Sequence, residues 1–151
     1  MPFRITLLTV RSAGSQATPL SALSDQYLQR CSRSFVAESK VLRTEAALLT
    51  AVTDELKGGA GAFWIADLGG RSLTTDDFAS RVRLARDGGL RHLMLAVGPA
   101  DGWSAEARSV ATLRLALGAM TLPHELAALV LAEQIYRVST ILQGHPYHLG
   151  H

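Results

Sequence analysis

The side chains best placed for chemistry stand near the end of the chain. Glu133 and Arg137 are four residues apart, so a helix puts carboxylate and guanidinium on one face, where they either form a structural ion pair or act together on a substrate. Past that helix comes His145-Pro146-Tyr147-His148, in which Pro146 fixes an extended turn that presents Tyr147 and His148 together. The two histidines invite a metal. Neither a helical His-Glu-x-x-His pattern nor a set of cysteines supplies the remaining ligands, so the expectation is that no metal is bound.

A second group of residues is suited to binding. Leu117-Gly118-Ala119-Met120-Thr121-Leu122 leaves an apolar strand and stops at Pro123, whose fixed φ and missing N–H suit the first turn of a helix. The turn therefore falls at a strand's carboxyl end, where α/β proteins bind ligands. Two further loops, Ala66-Asp67-Leu68-Gly69-Gly70-Arg71 and the one opened by Gly98, are also apolar or glycine-bearing. Together the three offer what an adenosine needs: an apolar slot for the base, with backbone donors and acceptors for its edge. Glycines alone are a weak signal, and neither a GxGxxG fingerprint nor a P-loop lysine motif is present. His124 reads as a helix-start residue near this turn, and His92 as an ordinary residue before a strand.

The elements that must hold these groups alternate along the chain. Apolar, β-branched runs at residues 3–10, 35–41, 63–67, 93–97 and 112–116 predict five strands. The third is a solid apolar run of the kind buried on both faces of a parallel sheet. Helical spacing appears at residues 21–31 and 43–57, the latter with Ala46, Leu49, Val52 and Leu56 and a Gly58-Gly59 stop. Thr74 or Thr75 caps a helix running to about Asp87, and Ser104 caps a short one. The arginines of the former, Arg81, Arg83 and Arg86, read as a solvated face. The class is α/β with a mostly parallel sheet and helices on both faces.

The last helix, residues 124–143, is unusual because residues 126–132 carry no polar side chain on any face. Such a helix is buried in a large core, in a membrane or under a partner. A chain of 151 residues leaves little room for the first. Glu133, Gln134 and Arg137 break the run far short of the ~18 to 20 apolar residues that span a bilayer. A subunit interface, and hence a homodimer, is the expectation.

Composition bounds the rest. At this length one domain is expected, covering residues 1–151, and 48% hydrophobic against 19% charged residues indicates a chain able to bury a core. Net charge is only +2, which fits a basic patch and not a protein that coats nucleic acid. Thirteen of fifteen basic residues are arginine, suited to paired hydrogen bonds with phosphate, although genomic base composition produces the same bias. Cys31 is the only cysteine, so no intrachain disulfide forms; with no signal-peptide pattern at the start, a cytoplasmic location is expected.

At its C-terminal motifs the chain resembles the bacterial ribosomal large-subunit pseudouridine N3-methyltransferases, the RlmH family of the SPOUT class. That family joins a Met/Leu-Thr-Leu/Phe-Pro-His turn to a Glu-x-x-Tyr-Arg helix and a near-terminal Tyr-His. Here these are Met120 to His124, Glu133-Gln134-Ile135-Tyr136-Arg137 and Tyr147-His148. The resemblance is densest from Asp67 onward. It departs at Ala66, where the family usually has Leu, at Gly98-Pro99, where it has Gly-Gly, and at Arg11-Ser12, where it has Gly-Lys.

The resemblance implies a trefoil knot at the C-terminal end of the α/β fold, S-adenosylmethionine as cofactor, and methylation of N3 of a pseudouridine in 23S rRNA in the ribosome. It implies cofactor contacts at Ala66, Gly98, Leu117, Gly118, Ala119, Met120, Thr121 and Leu122. It casts Glu133, Arg137, Tyr147 and His148 as the catalytic group: His148 or Glu133 as proton acceptor, Arg137 beside a developing oxyanion or a phosphate, and Tyr147 stacking on a base. The alternatives are a tRNA-directed SPOUT methyltransferase and a ribosome-associated binding protein without catalysis.

Overall fold

Among the described residues five strands and five helices alternate strictly: β1 (Arg4–Val10), α1 (Pro19–Gln29), β2 (Val36–Leu42), α2 (Glu45–Leu56), β3 (Gly61–Ser72), α3 (Thr75–Asp87), β4 (His92–Val97), α4 (Ala105–Val110), β5 (Leu113–Ala116) and α5 (His124–Gln143). The computed structural model describes residues 2–11, 17–99 and 101–149; Ser12, where the chain departs from the family's Gly-Lys, and Ala100 of the Gly98 loop lie outside them. Every strand pairing is parallel, in the order β2-β1-β4-β3-β5.

Period-2 alternation along the central strands feeds two cores. Ile5, Leu7, Leu93, Leu95 and Val97 point to one face and pack with Phe78 and Val82 of α3 and Leu131, Ile135 and Val138 of α5. Leu8, Val10, Phe63, Ile65, Met94 and Ala96 point to the other, against Leu48, Leu49 and Val52 of α2 and Ala107 of α4. Helix starts are set locally: Thr18, Thr44, Thr74 and Ser104 each accept a backbone N–H of the first turn. Helix α5 begins at Pro123 with no side-chain cap and ends at Gly144, whose φ of 72° is the left-handed conformation that glycine tolerates best.

Two expectations change. The apolar run of α5 is largely absorbed by the chain itself, since Ala127, Ala128, Leu131 and Ala132 are buried where α5 packs between α1 and α3 over the sheet. Only Leu126 stands exposed there, with Leu129 and Val130 half-buried. The third strand also does not end at Asp67. It runs on to Ser72, and Leu115 of β5 pairs with both Ala66 and Arg71, so the residues between make an excursion beside β5. Gly70 permits it: a Cβ there would lie 2.6 Å from the Arg114 carbonyl.

Candidate functional site

Three loops at the carboxyl edge of the sheet enclose a cleft of about 360 Å³, within the size range of small-molecule sites. Its lining includes Ala66, Gly98, Leu117, Gly118, Met120, Thr121 and Leu122, seven of the eight residues expected at a cofactor; Ala119 is exposed beside it. The first loop prolongs β3, the second follows β4 and the third joins β5 to α5.

Trp103 gives the cleft its shape, and no motif or periodicity in the sequence marks it. Its Nε1 donates to the Ala66 carbonyl at 2.7 Å, and its buried ring stands edge-on to Phe63. The ring lies so close to Gly98 that a Cβ there would be 2.6 Å from it. The glycine is thus required by the indole, whatever ligand is bound. Gly118 has φ 136°, a conformation side chains rarely adopt, and a Cβ there would meet nothing within 4 Å, so this backbone faces open space.

Asp67, on the same cleft, accepts from Arg108 Nε at 3.0 Å and Arg114 Nη1 at 3.3 Å, and its side chain is only 8% exposed. Burial alone would raise its pKa. The Arg108 hydrogen bond, the Gly69 N–H and Arg114 outweigh burial and hold the carboxyl below the usual carboxylate range.

The four expected catalytic residues form one hydrogen-bonded group on α5 and the tail. Arg137 donates to Glu133 through Nη2 at 2.9 Å and Nε at 3.2 Å, Tyr147 Oη donates to Glu133 Oε2 at 3.0 Å, and Gln134 Nε2 reaches Oε1 at 3.0 Å. The guanidinium carbon also sits 4.9 Å from the centre of the Tyr147 ring. Burial first, then the Glu133 hydrogen bond, raises the Tyr147 pKa, so this hydroxyl keeps its proton.

Arg137 Nη1 lies 3.2 Å from His148 Nδ1. Guanidinium only donates, so Nδ1 accepts and the ring hydrogen sits on Nε2, which faces Asp76 Oδ1 at 3.2 Å. Neither Asp76 nor Gln134 is among the site residues the sequence suggests; only the folded chain brings α3 to the tail. His145 Nδ1 accepts from the Tyr147 N–H, and His92 bonds Thr6 and Glu55 on the opposite edge of the sheet. Among the described residues no three metal-ligating side chains are grouped, and no helix is long and apolar enough to cross a membrane.

A parallel sheet covered on both faces, with a ligand-sized cleft built from three turns at its carboxyl edge, defines an α/β protein of the class that binds nucleotide-like cofactors. The chain belongs to the SPOUT methyltransferase family: the model described as "Predicted SPOUT methyltransferase" matches residues 3–148. It is 40% identical over 137 residues to the ribosomal RNA large subunit methyltransferase H of Koribacter versatilis (strain Ellin345), covering 91% of this chain and 93% of that one. The protein of the same name from Xanthobacter autotrophicus is 47% identical over 112 residues, covering 74% of this chain and 67% of that one. Among solved structures, a protein described as a "probable methylase family protein" from Haemophilus influenzae Rd KW20 superposes with a TM-score of 0.55 at 8% identity, covering 95% of this chain and 70% of that one. A TrmH-family protein from Porphyromonas gingivalis gives 0.51 at 15% identity, covering 91% of this chain, which spans 61% of that one. At such identities these two likenesses speak for the fold alone.

Proposed function

We propose that this chain is an S-adenosylmethionine-dependent methyltransferase acting on N3 of a pseudouridine in 23S rRNA. The observation that carries the reading is the convergence on one cleft of seven residues from three separate loops, each matching an expected cofactor contact. The cleft suits the cofactor chemically. Leu117 and Leu122 offer apolar surface for adenine, the Gly98 and Gly118 backbones offer polar edges, and the cleft's one arginine is paired with Asp67, away from a sulfonium. When bound, S-adenosylmethionine supplies an electrophilic methyl group.

The remaining work falls to the chain's own side chains. An imide N3 attacks a methyl carbon only as it sheds its proton. Glu133 is already occupied by Arg137, Tyr147 and Gln134, so its role is to anchor them. His148 is the better proton acceptor: Arg137 leaves Nδ1 for the substrate's oxygen, and Asp76 stabilises the imidazolium from Nε2. Arg137, so released, faces the charge that develops on the pyrimidine oxygen.

Arg137 stands ten residues beyond Ala127, which lines the cleft, or about 15 Å along the helix axis at the usual rise. That span exceeds one nucleobase. A homodimer that sets the tail of one copy before the cleft of the other closes it, with Leu126, Leu129, Val130 and the exposed Met120 as the apolar contact strip. In this reading the chain is a single knotted domain that works in the cytoplasm.

The test is methyl transfer from labelled cofactor to ribosomes from cells lacking the gene, with mass spectrometry locating the methyl group. Label on N3 of a 23S pseudouridine is the expected result. Transfer to tRNA alone, or cofactor binding without transfer, overturns it.

A further inference from the structure

Beside the cofactor cleft, the excursion of β3 forms a second concavity of about 340 Å³ that the proposed reaction does not use. It is lined by Gly69, Gly70 and Arg71, by Arg114 of β5 and by Arg81 of α3. Three arginines from three elements thus converge on one groove with no acidic side chain in its lining. Arg71 and Arg81 have no ion-pair partner among the described residues. Arg81 is half-buried, unlike the exposed Arg83 two residues on.

A guanidinium held partly out of water without a counter-charge is costly unless an anion arrives. Arg114 also pairs with Asp67, which lines the cofactor cleft together with Arg108. The groove and the cleft therefore meet at one carboxylate. A polyanion lying in the groove leads directly to the cleft.

We infer that this groove holds the phosphodiester backbone of the RNA substrate, with Arg71 and Arg81 as the phosphate contacts and Arg114 tethered to the cofactor side by Asp67. The inference rests on the RNA-methyltransferase reading, but its test is separate. Guanidinium pairs make two parallel hydrogen bonds to phosphate oxygens, and the exposed Gly69 backbone lets a strand approach closely. This assigns Arg81 a substrate, where the sequence pattern placed it on a solvated helix face.

The experiment compares wild type with Arg71→Ala/Arg81→Ala and Arg71→Lys/Arg81→Lys. Binding is measured to purified large ribosomal subunits and to naked 23S rRNA transcript between 50 and 200 mM salt. Each lost phosphate contact lowers the slope of log K against log salt by about 0.7 to 0.9, so the alanine pair should lose about 1.4 to 1.8. Its binding deficit against wild type then shrinks roughly tenfold across that range. The lysine pair should keep most of the slope. In turnover the ribosome KM rises for the alanine pair, while kcat and calorimetric S-adenosylmethionine affinity stay at wild type. An unchanged salt slope overturns the groove, and so does a deficit seen with subunits but not with naked rRNA, which marks a protein contact instead. Absence of methyl transfer by the wild type defeats the functional reading while the binding comparison still judges the groove.

Discussion

Tyr147 Oη donates to Glu133 Oε2 at 3.0 Å across a separation of fourteen residues, tying the tail back onto the helix that precedes it. The same carboxylate grips Arg137, which in turn faces His148, so one anion organises three groups. Tyr147→Phe keeps the ring over Arg137 and removes only this donor. Turnover should fall about tenfold or more, with cofactor affinity unchanged, the pattern of an interaction made in the transition state. His148→Ala should cost more, and deletion of residues 147–151 most. Near wild-type turnover in the truncated protein would show that the tail only braces α5.

The indole–carbonyl bond from Trp103 to Ala66 makes a second prediction. Trp103→Phe removes a buried donor and leaves the Ala66 oxygen without its partner, at a cost of about 1 to 3 kcal/mol. Gly98→Ala drives a methyl against the indole and should cost a similar amount by overpacking. Both should weaken S-adenosylmethionine binding by calorimetry. Gly118→Val should act differently: its Cβ meets nothing within 4 Å, but a branched side chain strains a φ of 136° in a residue that lines the cleft. Cofactor affinity preserved in all three variants would place the cofactor elsewhere.

Acid stability should depend on Asp67. Its folded-state pKa lies below the ordinary 3.8, so the carboxylate contributes stability that is complete above that value and lost as pH falls through the lower folded one. Melting curves at pH 7 and pH 3 should show a smaller acid-induced drop for Asp67→Asn than for wild type. At pH 7 the variant should melt lower, because Arg108 and Arg114 lose their shared partner. Equal drops in the two proteins would assign the acid response to other carboxylates.

The mass of the particle in solution is a fourth check. Light scattering should give about twice the 16.2 kDa chain, and Leu126→Glu should shift the protein toward monomer without unfolding it, since Leu126 is 36% exposed within one chain. Turnover should fall in step with dissociation. A wild-type monomer at micromolar concentration, active as such, would refute the shared site.

Much of this protein is decided locally. The cap at Ser104 falls where the sequence predicts it, that of α3 at Thr74, one of the two threonines the sequence offers, and α5 spans the predicted residues 124–143. Capping and hydrophobic period act over three or four residues, so a linear sequence displays them. The parallel class follows from the alternation of apolar runs with helical spacing, and the motif residues around Met120, Glu133 and Tyr147 mark the family. Tertiary structure decided the rest. That α5 buries Ala128 and Leu131 inside its own chain depends on its seat between α1 and α3. That Gly98 answers to Trp103, Asp67 to two arginines and His148 to Asp76 depends on how loops, strands and helices pack, and the partners stand from 5 to 72 positions apart. Such contacts leave no periodic trace, because each needs only a complementary atom at the right distance once the sheet has set where that distance is closed.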